Sequence, residues 1–356
     1  MKRIAIFASG SGTNAENIIK YFRTDNSANV VLILSNNPDA FVLNRASRLN
    51  VKSIVFNKEQ INNLEWATAN LLNYNIDLII LAGYLWKFPA YLLKTYQNNW
   101  ESVDSRPVPA WFEDAKFGIF IHWGLYSVPA YSPTGRDKVG VYDRYAEWYW
   151  RRWQEPNKVQ KYFTDFHTKQ FGADAKYQDF VKNFKAEMFQ PDEWAQLFEN
   201  AGAKYVVLTS KHHEGFTLWP SKQSWNWNAM DVGPHRDLLG DLTKSVKNKN
   251  IKMGYYYSLL EWYNPLYKKE TLNEYIDQHM FPQMKDLVNT YHPDLVWTDG
   301  EWDYTSDKLR STEFLSWLYN DSPVKNSVVV NDRWGKETRS KQAIPESLNH
   351  RTDWIQ

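Results

Sequence analysis

The chain has 356 residues, a formal net charge of +1 and no cysteine. That length leaves room for a barrel with an appendage, so two units are expected. Near-neutral charge without a long Lys/Arg block removes the electrostatic footprint of a nucleic-acid or membrane-surface binder, and the absent thiols exclude disulfides, thiolate metal sites and cysteine nucleophiles. The expected partner is a small neutral molecule, with no nucleic acid and no membrane.

The opening "MKRIAIFASGSGTN" starts basic and turns apolar. Its apolar run is short for a secretory signal and leads into a Gly-Ser turn and an amphipathic stretch, which predicts a first buried strand. No span approaches membrane length, and a soluble, cytoplasmic protein is expected. Up to about Asn99, the runs "IAIF", "VVLIL", "SIVF" and "LIILAG" alternate with helical patterns such as "NAENIIKYF" and "LEWATANLLNY". Such alternation predicts a parallel sheet with crossover helices, a partial Rossmann-like α/β unit over 1–98. Within it, Gly10, Ser11, Gly12, Thr13 and Asn14 lie between a strand and a helix. Backbone amides there can meet a phosphate, and a plain tight turn suits the same residues.

Composition shifts at Trp100, where Trp and Tyr become dense and Pro107 and Pro109 punctuate the chain. From Phe117 the strand-like runs "FGIFIHW", "YVVLTSKHH", "MGYYYS", "LVWTDGEW" and "SVVVNDRWG" alternate with helical stretches "PDEWAQLFENAG", "DLLGDLTKSVKN" and "FPQMKDLVNTYH". Each run begins apolar and ends in His, Tyr, Asp, Arg or Trp. In a (β/α)8 TIM-like barrel the C-terminal strand ends share one mouth, where active sites are assembled, so the apolar parts predict barrel wall and the polar ends predict pocket. The unit 99–356 is therefore expected to be the catalytic barrel.

His122, His212, His213, Asp299 and Arg333, with neighbouring tryptophans, would make this pocket aromatic, cationic and acidic at once. Sugars match that mixture, because their apolar faces stack on rings while their hydroxyls need charged hydrogen-bond partners. Glycosidases further need carboxylates at the scissile bond. Asp299 ends a buried run, where a charge needs a partner or a task, although an Asp capping the following turn fits the same position. The adjacent His212 and His213 would point to opposite faces of a strand, and no third ligand sits nearby at zinc-like spacing, so hydrogen bonding to substrate is expected instead of a metal.

Taken together, "NWESVDSRPVPAWFEDAKFGIFIHWGLYSVPAY", "YAEWYWRRW", "YVVLTSKHHEGFTLWPS", "MGYYYSLLEWYNP", "LVWTDGEW" and "VVVNDRWGKETR" resemble the α-L-fucosidases of glycoside hydrolase family 29, from about Asn99 to about Gln342. The resemblance implies retaining hydrolysis of terminal α-L-fucosides without a cofactor or metal. It implies Asp299 as nucleophile, and His122, Glu147, Trp148, His212, His213, Tyr257, Trp297 and Arg333 around the fucose ring of a fucosylated glycan or small fucoside. Related fucosidases are often secreted or periplasmic.

The first residues, "MKRIAIFASGSGTNAENIIKYF" and "IDLIILAGYLWKFPAYLL", resemble phosphoribosylglycinamide formyltransferase. There the Gly-Ser-Gly-Thr-Asn turn receives the substrate phosphate, implying that role for Gly10 to Asn14, and formyl transfer is the alternative function. The Asn, His and Asp that perform it in that family have no counterpart here. At the other end, "AIPESLNHRTDWIQ" departs from the fucosidase pattern, leaving Glu346 as the carboxylate nearest the expected acid/base position and roughly three of the eight barrel strands unaccounted for. The chain thus reads as a chimera of a formyltransferase-like segment and a C-terminally truncated barrel. Open strand edges predict marginal stability and weak or no activity.

Overall fold

The computed structural model describes residues 2–63, 66, 70–71, 74, 76–89, 97–134 and 139–338. The chain divides into two compact units, Met1–Thr95 and Tyr96–Gln356. No helix among the described residues is long and apolar enough to cross a membrane.

In the first unit, β1 (Lys2–Phe7), β2 (Ala28–Ser35), β3 (Lys52–Val55) and β4 (Leu78–Leu81) form a parallel sheet in the order β3-β2-β1-β4. Side chains alternate across a strand, so β1 is buried on both faces. Ile4 and Ile6 pack with Ala15 and Ile19 of the helix Thr13–Asp25 and Val42 of the helix Phe41–Arg48, while Ala5 and Phe7 pack with Leu32, Leu34 and Phe56 on the other face. This is the Rossmann-like arrangement the alternating runs predict, except that the stretch "LEWATANLLNY" falls largely outside the described residues. Strand order reverses between β1 and β4, the position where open α/β sheets place ligands.

The second unit carries a parallel sheet in sequential order, β5 (Gly118–Ile121), β6 (Tyr205–Lys211), β7 (Lys252–Ser258), β8 (Leu295–Asp299) and β9 (Val329–Val330). Helices Leu238–Asn248, Phe281–Tyr291 and Ser311–Asn320 lie in the successive crossovers from β6 onward, and Pro191–Asn200 precedes β6. This is the wall of a (β/α)8-type barrel. Its outer face holds the main core, where Val206, Leu208, Met253, Tyr255, Tyr257 and Val296 meet helix residues such as Leu242 and Leu287. Its inner face is a separate cluster of Val207, Tyr256, Leu295, Trp297 and Val329. Trp111 and Phe112, from the helix Ala110–Ala115, pack on Tyr205 at the N-terminal end of this face, and Trp111 Nε1 donates to the Ser327 carbonyl at 2.7 Å. One end of the inner face is thus filled by aromatics, leaving the C-terminal ends of the strands for the site.

Candidate active site

The residues at those strand ends are positioned by local backbone features. In β6 the register to β7 shifts between Thr209 and Lys211, so that Thr209 opposes Tyr256 and Lys211 opposes Tyr257. Such a bulge re-aims the side chains beyond it. Lys211 turns to the outer face, where it pairs with Glu261 Oε1 at 2.5 Å and lies 4.1 Å from the centre of the Tyr257 ring. His212 then falls on the inner side, stacked on Tyr256 with centroids 5.4 Å apart and planes 9° apart. The strand ends at Lys211, so His213 follows in a turn rather than on the opposite face. Its Nδ1 lies 2.5 Å from Ser258 Oγ and its Nε2 lies 3.9 Å from Asp299 Oδ2. Both histidines therefore reach the pocket, contrary to the opposite-faces expectation, because neither continues the strand.

Asp299 closes β8, opposite Ser258 of β7. Both of its oxygens are held: Tyr256 Oη donates to Oδ2 at 2.7 Å and Arg333 Nη1 to Oδ1 at 2.8 Å. The same Arg333 nitrogen lies 3.4 Å from Glu301 Oε1. The Asp299 side chain keeps 18% of its surface exposed, which leaves it reachable from the pocket. Burial, reinforced by the charge of Asp299, pushes the Tyr256 phenol well above its ordinary pKa, so this hydroxyl stays a donor at any physiological pH.

Histidines and aromatic rings complete the pocket. His122 stacks on Phe120 at 5.3 Å and meets the edge of His212 at 5.6 Å. Trp297 packs edge-on against Phe120 at 5.3 Å, beneath them. Glu147 and Trp148 come from the 3-10 turn Ala146–Trp148, and Trp148 meets His213, Trp262 and Trp302 at 5.4, 5.1 and 5.8 Å. His122 keeps an exposed surface, yet desolvation by the groups around its ring, helped by His212, lowers its pKa to about 3, and burial lowers that of His212 to about 4. His213 is pushed well below its ordinary value by burial, then by His212 and His122. All three are uncharged near neutrality and can exchange hydrogen bonds with hydroxyl groups. Buried His212 Nδ1, His213 Nε2 and Trp262 Nε1 have no hydrogen-bond partner among the described residues. Such buried polar groups are costly unless a ligand meets them.

Of the residues expected around the sugar, the structure gathers His122, Glu147, Trp148, His212, His213, Trp297, Asp299 and Arg333 about this pocket. Tyr257 does not join them. Its ring lies in the outer core and its hydroxyl donates to Gln283 Oε1 at 2.8 Å, because β-strand alternation turns it away from the face Tyr256 occupies. Tyr256, Trp262 and Trp302 were missed, although all three stand in the motifs quoted above. Glu346 lies outside the described residues.

This arrangement matches known proteins. The family model described as alpha-L-fucosidase matches residues 90–353, which carries the likeness past Gln342, where the sequence reading ended it. The chain belongs to the alpha-L-fucosidase family. It is 51% identical over 253 residues to an alpha-L-fucosidase of Dictyostelium discoideum, covering 69% of this chain and 53% of that protein. To the tissue alpha-L-fucosidase of Homo sapiens it is 52% identical over 248 residues, covering 68% and 50%. The chain thus spans about half the length of the curated relatives it matches. Among solved structures, a Thermotoga maritima alpha-fucosidase aligns with TM-score 0.57 and 39% identity over 67% of this chain and 57% of the other. The same enzyme in complex with fucose aligns with TM-score 0.55 and 38% identity, over 67% and 57%. Residues 2–100 match the formyl transferase family model, so the fucosidase-family segment follows a formyltransferase-like one.

In that first segment, Gly12 precedes the helix Thr13–Asp25 at φ 73°. A Cβ there would stand 2.4 Å from Val42 Cγ2, so both the backbone angle and the close packing demand glycine. Ser9 ties the end of β1 to its neighbours, its Oγ donating to Asn36 Oδ1 at 2.6 Å and accepting from the Leu85 amide at 3.1 Å. Arg45 Nε donates to the Ser11 carbonyl at 2.8 Å. The turn Gly10 to Asn14 therefore sits, well braced, where the sheet order reverses.

Proposed function

We propose that the second unit hydrolyses terminal α-L-fucosides with retention, through Asp299 as nucleophile. The observation that carries this reading is the double grip on Asp299: one oxygen accepts a hydrogen bond from the Tyr256 phenol and the other meets the Arg333 guanidinium, at the accessible floor of a histidine- and tryptophan-lined pocket. Two hydrogen bonds orient a carboxylate, as attack on an anomeric carbon requires. In such a reaction one carboxylate forms a glycosyl-enzyme, and a second carboxyl first protonates the leaving oxygen and later activates water. The uncharged histidines and Glu147 suit sugar hydroxyls, and the Trp148, Trp262 and Trp302 wall suits the apolar edge of a deoxy sugar. That a similar Thermotoga maritima enzyme has been solved with fucose supports the choice of sugar.

The test is hydrolysis of a chromogenic α-L-fucoside, with the anomeric configuration of the first product followed by NMR. Release of fucose with the α configuration supports the reading. Initial release of the β anomer, or turnover in Asp299→Asn equal to wild type, would overturn it.

For the first unit we propose anion binding at Gly10 to Asn14 rather than formyl transfer, supported by the braced turn at the N-terminus of a 13-residue helix. Titrating inorganic phosphate while following the Gly10 and Gly12 amides by NMR tests it. Unmoved amide resonances would sink it.

A further inference from the structure

His122, Glu147 and His212 stand 25 and 65 residues apart in sequence, yet one ligating atom from each lies within 4.8 Å of the others. Two imidazoles and one carboxylate form a ligand set suited to zinc, with a fourth position left for water. A tetrahedral zinc ion with bonds of about 2.0–2.2 Å sets its ligand atoms about 3.4 Å apart, so closing on a metal asks for shifts on the order of 1 Å. The two imidazoles are held in place by rings, His122 stacked on Phe120 and His212 on Tyr256. Glu147 sits on a short 3-10 turn at the edge of the pocket, and its rotatable side chain supplies the remaining movement.

We propose that His122, Glu147 and His212 form a transition-metal site that takes Zn2+ in competition with the sugar, so that zinc acts as a reversible inhibitor. The competition rests on the reading of these three side chains as sugar-binding, whereas the site itself rests only on their geometry. Mg2+ and Ca2+ prefer all-oxygen shells and should not enter a site with two nitrogen ligands.

The experiment is calorimetric titration of the full, chelator-treated chain with ZnCl2, alone and in excess L-fucose, alongside His122→Gln and Glu147→Gln. One zinc per chain is expected, with at least about tenfold weaker binding in each variant, since even residues that only support a metal ligand cost 10–100-fold. MgCl2 should give no heat. Thermal unfolding of each variant checks its fold, and because the two substitutions lie on separate elements, either folded variant suffices. Absence of zinc binding, or zinc affinity unchanged in a folded variant, overturns the metal site. If that happens while L-fucose still raises the unfolding temperature, the fucosidase reading stands alone. Zinc binding that is lost in the variants but indifferent to fucose overturns the competition and faults the sugar reading of the pocket.

Discussion

Tyr256 and Tyr257 are adjacent in β7, yet their hydroxyls serve opposite faces of the sheet: Tyr256 Oη donates to Asp299 Oδ2 at 2.7 Å, and Tyr257 Oη to Gln283 Oε1 at 2.8 Å. Removing each hydroxyl should therefore have a different consequence. Tyr256→Phe takes a donor from a carboxylate, an interaction worth roughly 1.5–3 kcal/mol, so kcat/KM should fall by about 10- to 100-fold with the fold intact. Tyr257→Phe leaves a buried Gln283 oxygen without that donor, which should lower stability by about 1–3 kcal/mol with little change in turnover. Kinetics and urea unfolding of the two variants would decide this, and the reverse pattern would return Tyr257 to the pocket.

The misplacement of this tyrosine shows what period-2 reasoning can and cannot supply. Alternation assigns faces when polar and apolar residues alternate, but Tyr255, Tyr256 and Tyr257 give three equal signals in a row. The face is set instead by pairing with Thr209 across a register shift that no local pattern in "YVVLTSKHH" announces. By contrast, the apolar-then-polar grammar of the strands was legible, because burying the wall and exposing its end is a property of each strand alone. The family resemblance placed His122, Glu147 and His212 around one sugar, but their mutual closeness as a ligand set was not legible, since they meet only through tertiary folding.

Asp299→Asn tests the chemistry with minimal change of shape. An amide cannot form the glycosyl-enzyme, so turnover should drop by roughly a thousandfold or more. The amide keeps one acceptor oxygen for Arg333, and its NH2 can donate to the Tyr256 hydroxyl once that rotates, so affinity for L-fucose should largely persist. Calorimetric binding beside the kinetic assay separates these outcomes. Joint loss of binding and turnover would mean that Asp299 holds the pocket together rather than reacting.

Glu214 gives a pH signature. Burial raises its carboxyl from 4.5 to about 8, with His212 Nδ1 3.5 Å from Oε2. Between pH 4.5 and 8 the unfolded chain has released this proton while the folded chain retains it. Folded protein then binds more protons, and stability falls as pH rises through that window. The buried histidines act in the opposite sense, since His212, lowered from 6.5 to about 4, adds stability as pH rises between those values. Comparing wild type with Glu214→Gln cancels the histidine contribution. The variant should unfold at a higher temperature than wild type at pH 8, with the gap closing toward pH 4.5. Parallel curves across this range would show that Glu214 is ionised in the folded state.

Ligand-linked stability tests whether the pocket works as a unit. The open-edge expectation drawn from the sequence predicts a weak or unformed pocket. In the structure, however, the groups that would meet fucose come from β5 to β8 and the segment after β9, and the aromatic packing of Phe120, Trp297, Tyr256 and His212 joins them. A ligand that binds only the native state stabilises it by mass action, about 2.7 kcal/mol at a hundred times its dissociation constant. L-fucose should accordingly raise the unfolding temperature by several degrees, and should do so in Asp299→Asn as well as in wild type. Since the proposed sugar groups all belong to the second unit, inorganic phosphate should not reproduce the shift of that unit's transition. A scan in which L-fucose leaves every transition unmoved, at concentrations well above those that saturate similar pockets, would show that these side chains are near one another without forming a binding site.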